Sequence, residues 1–393
     1  MLRTVQFIAG LVLLIALEVL RVYYIMPFPG SQRAETIDLA YFLHNNIFYF
    51  RVIGWLIVLF PLIYFFTLGS TKAKIMTGIG MVLYIYIFYM FNFRFLADKM
   101  FYQPTHKVFA EASSNKIPSG SLVLGVSINN EAKAYPLEII GYHHQVRDTI
   151  GNVPVMVTYC TVCRTGRVFS PEVDGKPEQF RLVGMDHFNA MFEDATTQSW
   201  WRQVSGEAIS GPLKGKSLPE IPSEQMTLKA WLDLHPGSKI MQPDTTFKEA
   251  YEGLKDFDEG TIKSGLEKRD SLSWKDKSWV VGVQVGMSAR AYDWNDLLNR
   301  KVINDTLASM PLLIMVASDS ASFHVWKRDS LTFEWDTQRS MLRDLQTQSY
   351  WDQSGRSTEG SMKDKQLPVV QSYQEFWHSW KTFRPHTTQY NAH

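Results

Sequence analysis

The sequence predicts a membrane-anchored protein: three N-terminal transmembrane helices, followed by a mainly β (α+β) soluble region made of two internally repeated units. Three observations support this fold class. The N-terminal part contains three long apolar segments. The remainder changes to short stretches rich in β-branched residues and separated by Gly, Pro and Asn, a pattern typical of strands and turns. Finally, two parts of this remainder align with each other.

The three apolar segments are residues 5–26, 47–68 and 75–97. Each has about the 20 residues that cross a hydrocarbon layer about 30 Å thick. Glu18 and Arg21 are three positions apart on one helical face, so we expect their side chains to pair. Arg51 and Arg94 lie near the ends of their segments, so we expect them to extend towards the membrane surface. The first segment is too long for a cleaved signal peptide and has no small-residue cleavage site after it.

The loop charges predict the orientation of these helices. The short loop 69–74 carries two lysines, whereas the longer loop 27–46 carries one arginine and two acidic residues. The positive-inside rule therefore places loop 69–74 and the N-terminus in the cytoplasm. Everything after residue 97 is then predicted to be extracytoplasmic, in the periplasm or on the outer face of the cell membrane.

Composition excludes two classes of protein. Lys and Arg number 40 against 39 Asp and Glu, a net charge of +1, whereas nucleic-acid-binding domains usually have a clustered basic excess. The two cysteines cannot form a framework of several disulfides, so the soluble region depends on a hydrophobic core. The membrane is the one partner that the sequence predicts; no nucleic acid is expected, and no protein or small-molecule partner is identified.

Local patterns predict the elements of the soluble region in order. Residues 121–128 and 131–135 flank Asn129-Asn130, a hairpin signal. We expect a short helix at 136–142, a strand at 153–159 and a helix at 227–234 that Pro236 ends. Residues 247–277 are rich in Asp, Glu, Lys and Gly, which predicts a polar linker or an excursion of the chain on the surface.

The repeat is visible in the sequence itself. Residues 134–154 align without gaps to residues 291–311, an offset of 157 (291 minus 134). TQSWWRQVSG at 197–206 also matches TQSYWDQSG at 347–355. The predicted organisation is a membrane domain at 1–98, a first β-rich repeat at 104–246, the linker at 247–277 and a second repeat at 278–388.

Residues present in only one repeat are the better candidates for chemistry. In the ungapped register Cys160 aligns with Ala317, Cys163 with Ser320 and His143 with Arg300. The first repeat alone therefore carries a Cys-x-x-Cys pair and a candidate histidine. His144 would point to another face than His143, so we expect it to face solvent.

Three functions are open for Cys160 and Cys163. With His143 they form a donor set for a transition metal, Cu or Zn. Alternatively, the spacing is that of thiol–disulfide oxidoreductases, with Arg164 adjacent, in which case the two cysteines are catalytic. In the third hypothesis they form a structural disulfide in a non-catalytic interaction module outside the cytoplasm. The residues alone leave open whether the protein is an enzyme.

Several motifs together resemble the membrane-associated prokaryotic family known as domain of unknown function 3179. The motifs that carry the resemblance are Ala134-Tyr135-Pro136-Leu137, His143 with Val146 and Asp148, VPVMVTYCTVC at 153–163 and TTQSWWRQVSGEAISGPLKGKSL at 196–218. The likeness covers about residues 104–388. The family's usual Cys-Pro-x-Cys-Gly is here Cys160-Thr161-Val162-Cys163-Arg164, and its Trp-His-Glu is Tyr142-His143-His144. The resemblance implies a fold and the location of a site, and it implies no reaction.

Overall fold

The computed structural model describes residues 1–391. Its α-helices, in chain order, are α1 Leu2–Tyr23, α2 Ile37–Leu68, α3 Thr71–Tyr89, α4 Ala97–Met100, α5 Leu137–His143, α6 Leu228–Leu234, α7 Lys248–Glu252, α8 Trp294–Arg300 and α9 Trp377–Phe383. A π-helical turn, Met90–Arg94, continues α3, and short 3-10 turns lie at Ser31–Arg33, Ala112–Ser114 and Thr245–Phe247.

The strands that follow are short and form several small sheets. In chain order they are β1 Val108–Ala110, β2 Leu122–Ile128, β3 Glu131–Pro136, β4 Gln145–Ile150, β5 Val153–Cys160, β6 Thr165–Phe169, β7 Glu172–Val173, β8 Lys176–Pro177, β9 Phe180–Asp186, β10 Asn189–Asp194, β11 Trp200–Arg202, β12 Ala208–Ser210, β13 Glu224–Thr227, β14 Lys239–Gln242, β15 Trp279–Val285, β16 Ser288–Asp293, β17 Val302–Leu307, β18 Met310–Val316, β19 Phe323–Lys327, β20 Phe333–Asp336, β21 Met341–Asp344, β22 Tyr350–Trp351, β23 Ser357–Glu359, β24 Ser372–Phe376 and β25 Thr388–Gln389.

The chain forms two compact units. The first comprises Met1–Tyr102 and Val173–Ser217, and the second comprises Gln103–Glu172 and the chain from Leu218 onwards. In the first unit, α1, α2 and α3 with its π-helical turn are long and apolar enough to cross a membrane. This confirms the prediction of three N-terminal helices that can span a membrane, followed by a mostly β region.

Helix α2 begins ten residues earlier than predicted, at Ile37 rather than residue 47. Its 32 residues extend for about 48 Å at 1.5 Å per residue, which exceeds a hydrocarbon layer of about 30 Å. The additional turns carry Tyr41 and His44, whose rings lie edge-on to Trp200 of β11 at centroid distances of 5.1 and 5.4 Å. The hydropathy pattern missed these turns because they pack against protein through polar and aromatic groups.

The prediction that Arg51 extends to the membrane surface is wrong. Its guanidinium Nε lies 2.6 Å from Oε1 of Glu18, which is fully buried in α1. Arg21 is 3.8 Å from the same carboxylate, so the predicted pairing of Glu18 and Arg21 is present but is the longer contact. Asn92 also donates to Glu18 at 2.9 Å. Burial of a charge inside a helix bundle requires such partners, and this cluster joins all three helices.

Within the first unit, the sheet β12-β11-β10-β9 lies at one end of the helix bundle. Polar contacts join it to the helix ends, among them Met185 N–H to Ile25 O at 2.7 Å, Ser210 to Asp38 at 3.1 Å and Arg181 to Asp98 at 3.4 Å. Because the helices alternate in direction, this end is opposite to the N-terminus and loop 69–74. Which side of the membrane each end faces stays a prediction.

The second unit contains five further sheets, with strand orders β1-β14-β3-β2-β13, β4-β5-β6, β24-β15-β16-β25, β17-β18-β19 and β20-β21-β22-β23. The predicted hairpin is present, since β2 and β3 pair antiparallel across Asn129 and Asn130. Both asparagines have positive φ, 48° and 65°, which this residue type tolerates in tight hairpin turns. The predicted helix and strand around residues 136–160 and the helix ended by Pro236 are also present, as α5, β5 and α6.

The segment 247–277 is not confined to the surface, contrary to the interpretation of its composition. Tyr251, Phe257 and Ile262 are buried and belong to the same hydrophobic core as β2, α5 and β5. Most of the charged residues between them are exposed, with Asp258 an exception, and they dominate the composition of the segment. The composition therefore did not reveal the three buried apolar residues. This segment therefore forms one wall around the strands that carry the cysteines.

Candidate functional site

The two cysteines lie at a tight turn between buried strands β5 and β6. Cys160 is the last residue of β5, and residues 161–164 reverse the chain before Thr165 begins β6. Both cysteines are 0% exposed and are thiols rather than a disulfide. The side chain of Cys163 is in hydrogen-bonding contact with that of Cys160. The turn thus holds two sulfur atoms next to each other in the protein interior.

Arg164 adopts an unfavourable backbone conformation within this turn. Its φ is 55°, a left-handed conformation that costs an L-residue roughly 1–2 kcal/mol and that Gly adopts freely. The buried guanidinium donates to Gln374 Oε1 at 2.8 Å and to the carbonyls of Phe257 and Asp258 at 3.1 and 3.2 Å. It also lies 3.8 Å from the ring centroid of Trp279. These contacts stabilise Arg164 at a position where the family that this chain resembles has Gly.

A lysine and a histidine from distant parts of the chain contact the same turn. Lys277 Nζ donates at 2.7 Å to the carbonyl of Val162, which lies between the two cysteines. His378 Nε2 is 3.1 Å from the same oxygen and 3.2 Å from Lys277 Nζ. The N–H of Phe376 donates to the Cys163 carbonyl at 3.0 Å. The thiol pair therefore has an ammonium group and an imidazole beside it.

Burial dominates the protonation of these groups. Burial, together with the hydrogen bond to Cys160, raises the pKa of the Cys163 thiol well above its ordinary value of 9.0. Burial lowers the pKa of Lys277, although the nearby thiol groups favour its charged form. Burial and the Lys277 charge lower the pKa of His378 to about 4. At pH 7, Cys163 is consequently a thiol and His378 a neutral imidazole.

The structure does not assemble His143 with the cysteines as one metal-binding group. His143 is fully buried at the end of α5, with Nε2 2.7 Å from the Tyr251 hydroxyl. Its ring lies edge-on to Phe247 at a centroid distance of 5.1 Å. Within residues 1–391, no group of three or more His, Cys, Asp and Glu side chains is arranged to hold a metal ion.

The prediction that His144 faces solvent is wrong. The residue is 2% exposed, and burial lowers its pKa to about 4. His144 ends α5 in a left-handed conformation, φ 60°, and its carbonyl accepts the N–H of Tyr159 at 3.0 Å. The argument from alternating strand faces failed because the chain at this position leaves a helix and turns into β4 beside β5.

Lys277, His378 and Ser379 are the residues of this site that the sequence reasoning missed. Ser379 contacts the Cys163 side chain. The alignment of the two predicted repeats contains a signal for His378, since a match of Trp231 with Trp380 aligns His378 with a lysine, at position 229. Lys277 gives no such signal, because it belongs to the predicted linker, which has no aligned counterpart.

Comparison with known proteins gives one result. No curated protein and no solved structure matches the chain significantly. A family model described as "Protein of unknown function (DUF3179)" matches residues 102–387, which include the cysteine turn and the residues that surround it. Since the match extends over more than half of the chain, this protein belongs to the DUF3179 family, as the sequence motifs suggested.

Proposed function

We propose that the turn 160–163 binds one copper(I) ion through the thiolates of Cys160 and Cys163. The two sulfur donors are in contact with each other and are removed from water. Soft thiolate ligands favour copper(I) and zinc. Structural zinc sites use four protein ligands, whereas copper(I) is satisfied by two thiolates in a linear arrangement. Since the described residues contain no group of three or more donors, this donor set suits copper(I) better than zinc.

The observation that carries the proposal is the ammonium of Lys277 beside the thiol pair. Binding replaces two S–H bonds with two S–Cu bonds and releases two protons, so the occupied site has one net negative charge. A buried anion is costly unless a cation compensates it. Lys277 Nζ donates at 2.7 Å to the carbonyl of Val162, a residue between the two cysteines in the sequence, and supplies that compensating charge.

His143 enters the proposal as a third ligand to be tested. Its Nε2 is engaged by the Tyr251 hydroxyl, so binding a metal through that nitrogen would require the imidazole to leave this bond. A copper(I) site made of two thiolates, with its charge compensated by Lys277, does not need this imidazole as a ligand. The variant His143→Ala therefore separates a three-ligand site from a two-thiolate site.

The contact between Cys160 and Cys163 also favours a second function, thiol–disulfide exchange. Two adjacent thiols form a disulfide when they lose two electrons and two protons to an oxidant such as a quinone or another disulfide. The nucleophile in such exchange is the thiolate, and it must be accessible. The complete burial of both cysteines and the raised pKa of Cys163 oppose this function. A structural disulfide is the third hypothesis, and it predicts a bond that resists reduction.

We further propose that residues 104–246 and 278–388 are duplicated units, joined by residues 247–277. Both contain the order strand, strand, helix, strand, strand, strand, as β2-β3-α5-β4-β5-β6 and β15-β16-α8-β17-β18-β19. Aligned side chains make the same bonds: Tyr135 donates to Asp148 at 2.7 Å, and Tyr292 donates to Asp305 at 2.8 Å. The aligned residues Gln225 and Gln374 hydrogen-bond to each other at 3.0 Å, as expected beside a pseudo-twofold axis.

In this proposal the second repeat, residues 278–388, supports the site of the first repeat on the extracytoplasmic side. Its strand β24 and helix α9 bring Phe376, His378 and Ser379 to the cysteine turn. The lysines of loop 69–74 and the alternating helix directions support an extracytoplasmic position for the soluble region.

Copper binding to the full-length chain in detergent tests the leading proposal. The reduced protein is loaded with copper(I) anaerobically, competed with a chromophoric copper(I) chelator and analysed by plasma mass spectrometry. We expect one copper per chain, lost in Cys160→Ala and in Cys163→Ala. Lys277→Met is expected to weaken binding about tenfold, which corresponds to about 1.4 kcal/mol. The exposed Lys263→Met is the matched control and should bind as the native chain does.

Each other result has a defined meaning. Loss of copper in His143→Ala would replace the two-thiolate site with the three-ligand site. Failure of the reduced native chain to retain copper would overturn the metal proposal. Titration of thiols before and after dithiothreitol then separates the remaining hypotheses, because a readily reduced disulfide indicates exchange chemistry and a resistant one indicates a structural bond.

A further inference from the structure

We propose that a cavity in the unit that contains the cysteine turn binds a primary ammonium ion carrying an apolar group. The cavity lies between α5, α7 and the segments that precede β2 and follow β14. The cavity has a volume of about 510 Å³, within the range of about 300–1,000 Å³ typical of small-molecule sites. Its apolar walls include Ile117, Leu122, Ile139 and Tyr251. Tyr251 is held in place by the bond of its hydroxyl to His143 at 2.7 Å. This inference is independent of copper binding at the cysteine turn.

Four carboxyl groups line this cavity, and two of them, those of Asp258 and Glu138, form no ion pair in the part of the chain that the structure describes. One oxygen of Asp258, Oδ2, accepts the N–H of Leu122 at 2.7 Å. Its other oxygen, Oδ1, is buried and has no hydrogen-bond partner. An unsatisfied buried polar atom costs about 1–3 kcal/mol, so native proteins rarely keep one without a reason. Glu138 also lines the cavity, as do Glu252 and Asp244, and the Asp244 carboxylate already accepts two backbone N–H groups.

The electrostatics of the cavity favour a cation. Burial raises the pKa of Asp258 to about 7. Burial also raises the pKa of Glu138, and the charge of Glu259 adds to that effect. Burial thus outweighs the positive charge of Arg164 near Asp258 and of Lys255 near Glu138. Three lysines line the cavity. Those lysines have exposed side chains that extend into water: Lys116, Lys248 and Lys255.

The walls determine which cation fits. A bare divalent metal ion is not expected, because residues 1–391 hold no group of three or more suitable side chains and much of the lining is apolar. An ammonium group can donate to both carboxylates while its apolar substituent contacts Ile117, Ile139 and the Tyr251 ring. An anion of the same shape would be repelled by Asp258 and Glu138. A neutral alcohol could donate only one hydrogen bond.

Calorimetric titration of the full-length chain in lipid nanodiscs tests this inference. The probe is benzylamine, which is protonated at pH 7.5, and benzyl alcohol and benzoate are isosteric neutral and anionic comparisons. We expect saturable binding of benzylamine and binding of the other two at least about tenfold weaker. Asp258→Asn should weaken benzylamine binding about tenfold or more, and Glu138→Gln should weaken it several-fold. The control Glu249→Gln removes an exposed carboxylate of α7 outside the cavity and should bind normally.

A stability measurement separates a binding role from a structural one. Asp258→Asn keeps an oxygen for the Leu122 N–H and removes a poorly solvated charge, so its thermal unfolding temperature should equal or exceed that of the native chain. Reduced affinity with undiminished stability supports the inference. Equal affinity for benzyl alcohol and benzylamine would overturn it, as would benzylamine binding that neither Asp258→Asn nor Glu138→Gln weakens. If Asp258→Asn lowers the unfolding temperature, the benzylamine affinity of Glu138→Gln becomes the test of the site. An affinity equal to that of the native chain in this variant refutes the site.

Discussion

Replacing Arg167 with Met removes one partner of a buried ion pair that joins β6 to β24. Arg167 and Glu375 are both 0% exposed, and the guanidinium Nη2 lies 2.5 Å from Oε1 of Glu375. Arg167 also lies over the ring of Tyr373 at 3.4 Å. Glu375 in turn accepts the hydroxyl of Ser379 at 3.0 Å, and Ser379 contacts Cys163. The pair therefore supports the cysteine turn from the strand beside it.

The magnitude follows from what Arg167→Met leaves behind. Among the side chains of residues 1–391, Glu375 would keep the Ser379 hydroxyl and Arg384, whose Nη1 lies 3.9 Å away. Removing one partner of a buried pair costs about 3–5 kcal/mol. Since 1 kcal/mol lowers the unfolding temperature by about 2–4 °C in a domain of this size, we expect a decrease of about 6–20 °C. Because Arg384 partly compensates the carboxylate, the lower half of this range is expected.

Thermal unfolding of the full-length chain in detergent, followed by tryptophan fluorescence, measures this decrease. The double variant Arg167→Met/Glu375→Met should recover most of the loss, because apolar groups of similar volume often replace a buried pair at little or no cost. The control Arg300→Met removes an exposed pair with Asp296 and should leave the unfolding temperature unchanged. An unchanged single variant, or a double variant as unstable as the single one, would refute the reasoning.

Three further predictions concern reactivity, acid and packing. Because burial raises the pKa of Cys163, iodoacetamide at pH 8 should modify the cysteines at least about tenfold more slowly in the folded chain than in urea, by mass spectrometry; equal rates would contradict their burial. Burial raises the pKa of Asp244, but backbone hydrogen bonds outweigh burial and lower this pKa to about 2. The ionised Asp244 carboxylate therefore stabilises the fold above about pH 4, and this stabilisation is lost as the pH falls towards 2. The unfolding temperature of Asp244→Ala should consequently decrease less than that of the native chain between about pH 5 and pH 3; parallel decreases would exclude this carboxylate. Gly125→Ala should destabilise the chain by about 1–3 kcal/mol, because the added Cβ would lie 2.3 Å from Trp231, whereas Gly237→Ala, with no atom within 4 Å, should be neutral in the same thermal assay.

Local sequence signals predicted the elements that depend on neighbouring residues. The hairpin at Asn129 and Asn130 and the end of α6 before Pro236 follow from the conformations that these residue types allow. The position of the cysteine turn follows from the apolar strand that precedes it. These features need no knowledge of the distant chain, so one sequence is sufficient to predict them.

Features that depend on long-range contacts were not predictable in this way. Arg51 was expected at the membrane surface because the pattern of its own segment does not reveal that Glu18 of another helix lies within 2.6 Å. Lys277 and His378 reach the cysteine turn from segments far along the chain. Residues 247–277 were misjudged because composition averages over a segment, whereas burial is decided residue by residue.

The arginine at position 164, where the family's motif has Gly, shows both what the local sequence reveals and what only long-range contacts explain. The sequence shows only that an arginine stands where the family's motif has glycine, and the structure shows that this residue has a strained φ of 55°. The side chain gives the reason that the strain is tolerated, since it bonds β24 through Gln374 and the segment 247–277 through two carbonyls. One of those carbonyls belongs to Asp258, whose side chain lines the cavity that is proposed to bind an ammonium ion. A glycine at this position would relax the turn but would remove the guanidinium that joins the thiol pair to the acidic wall of that cavity.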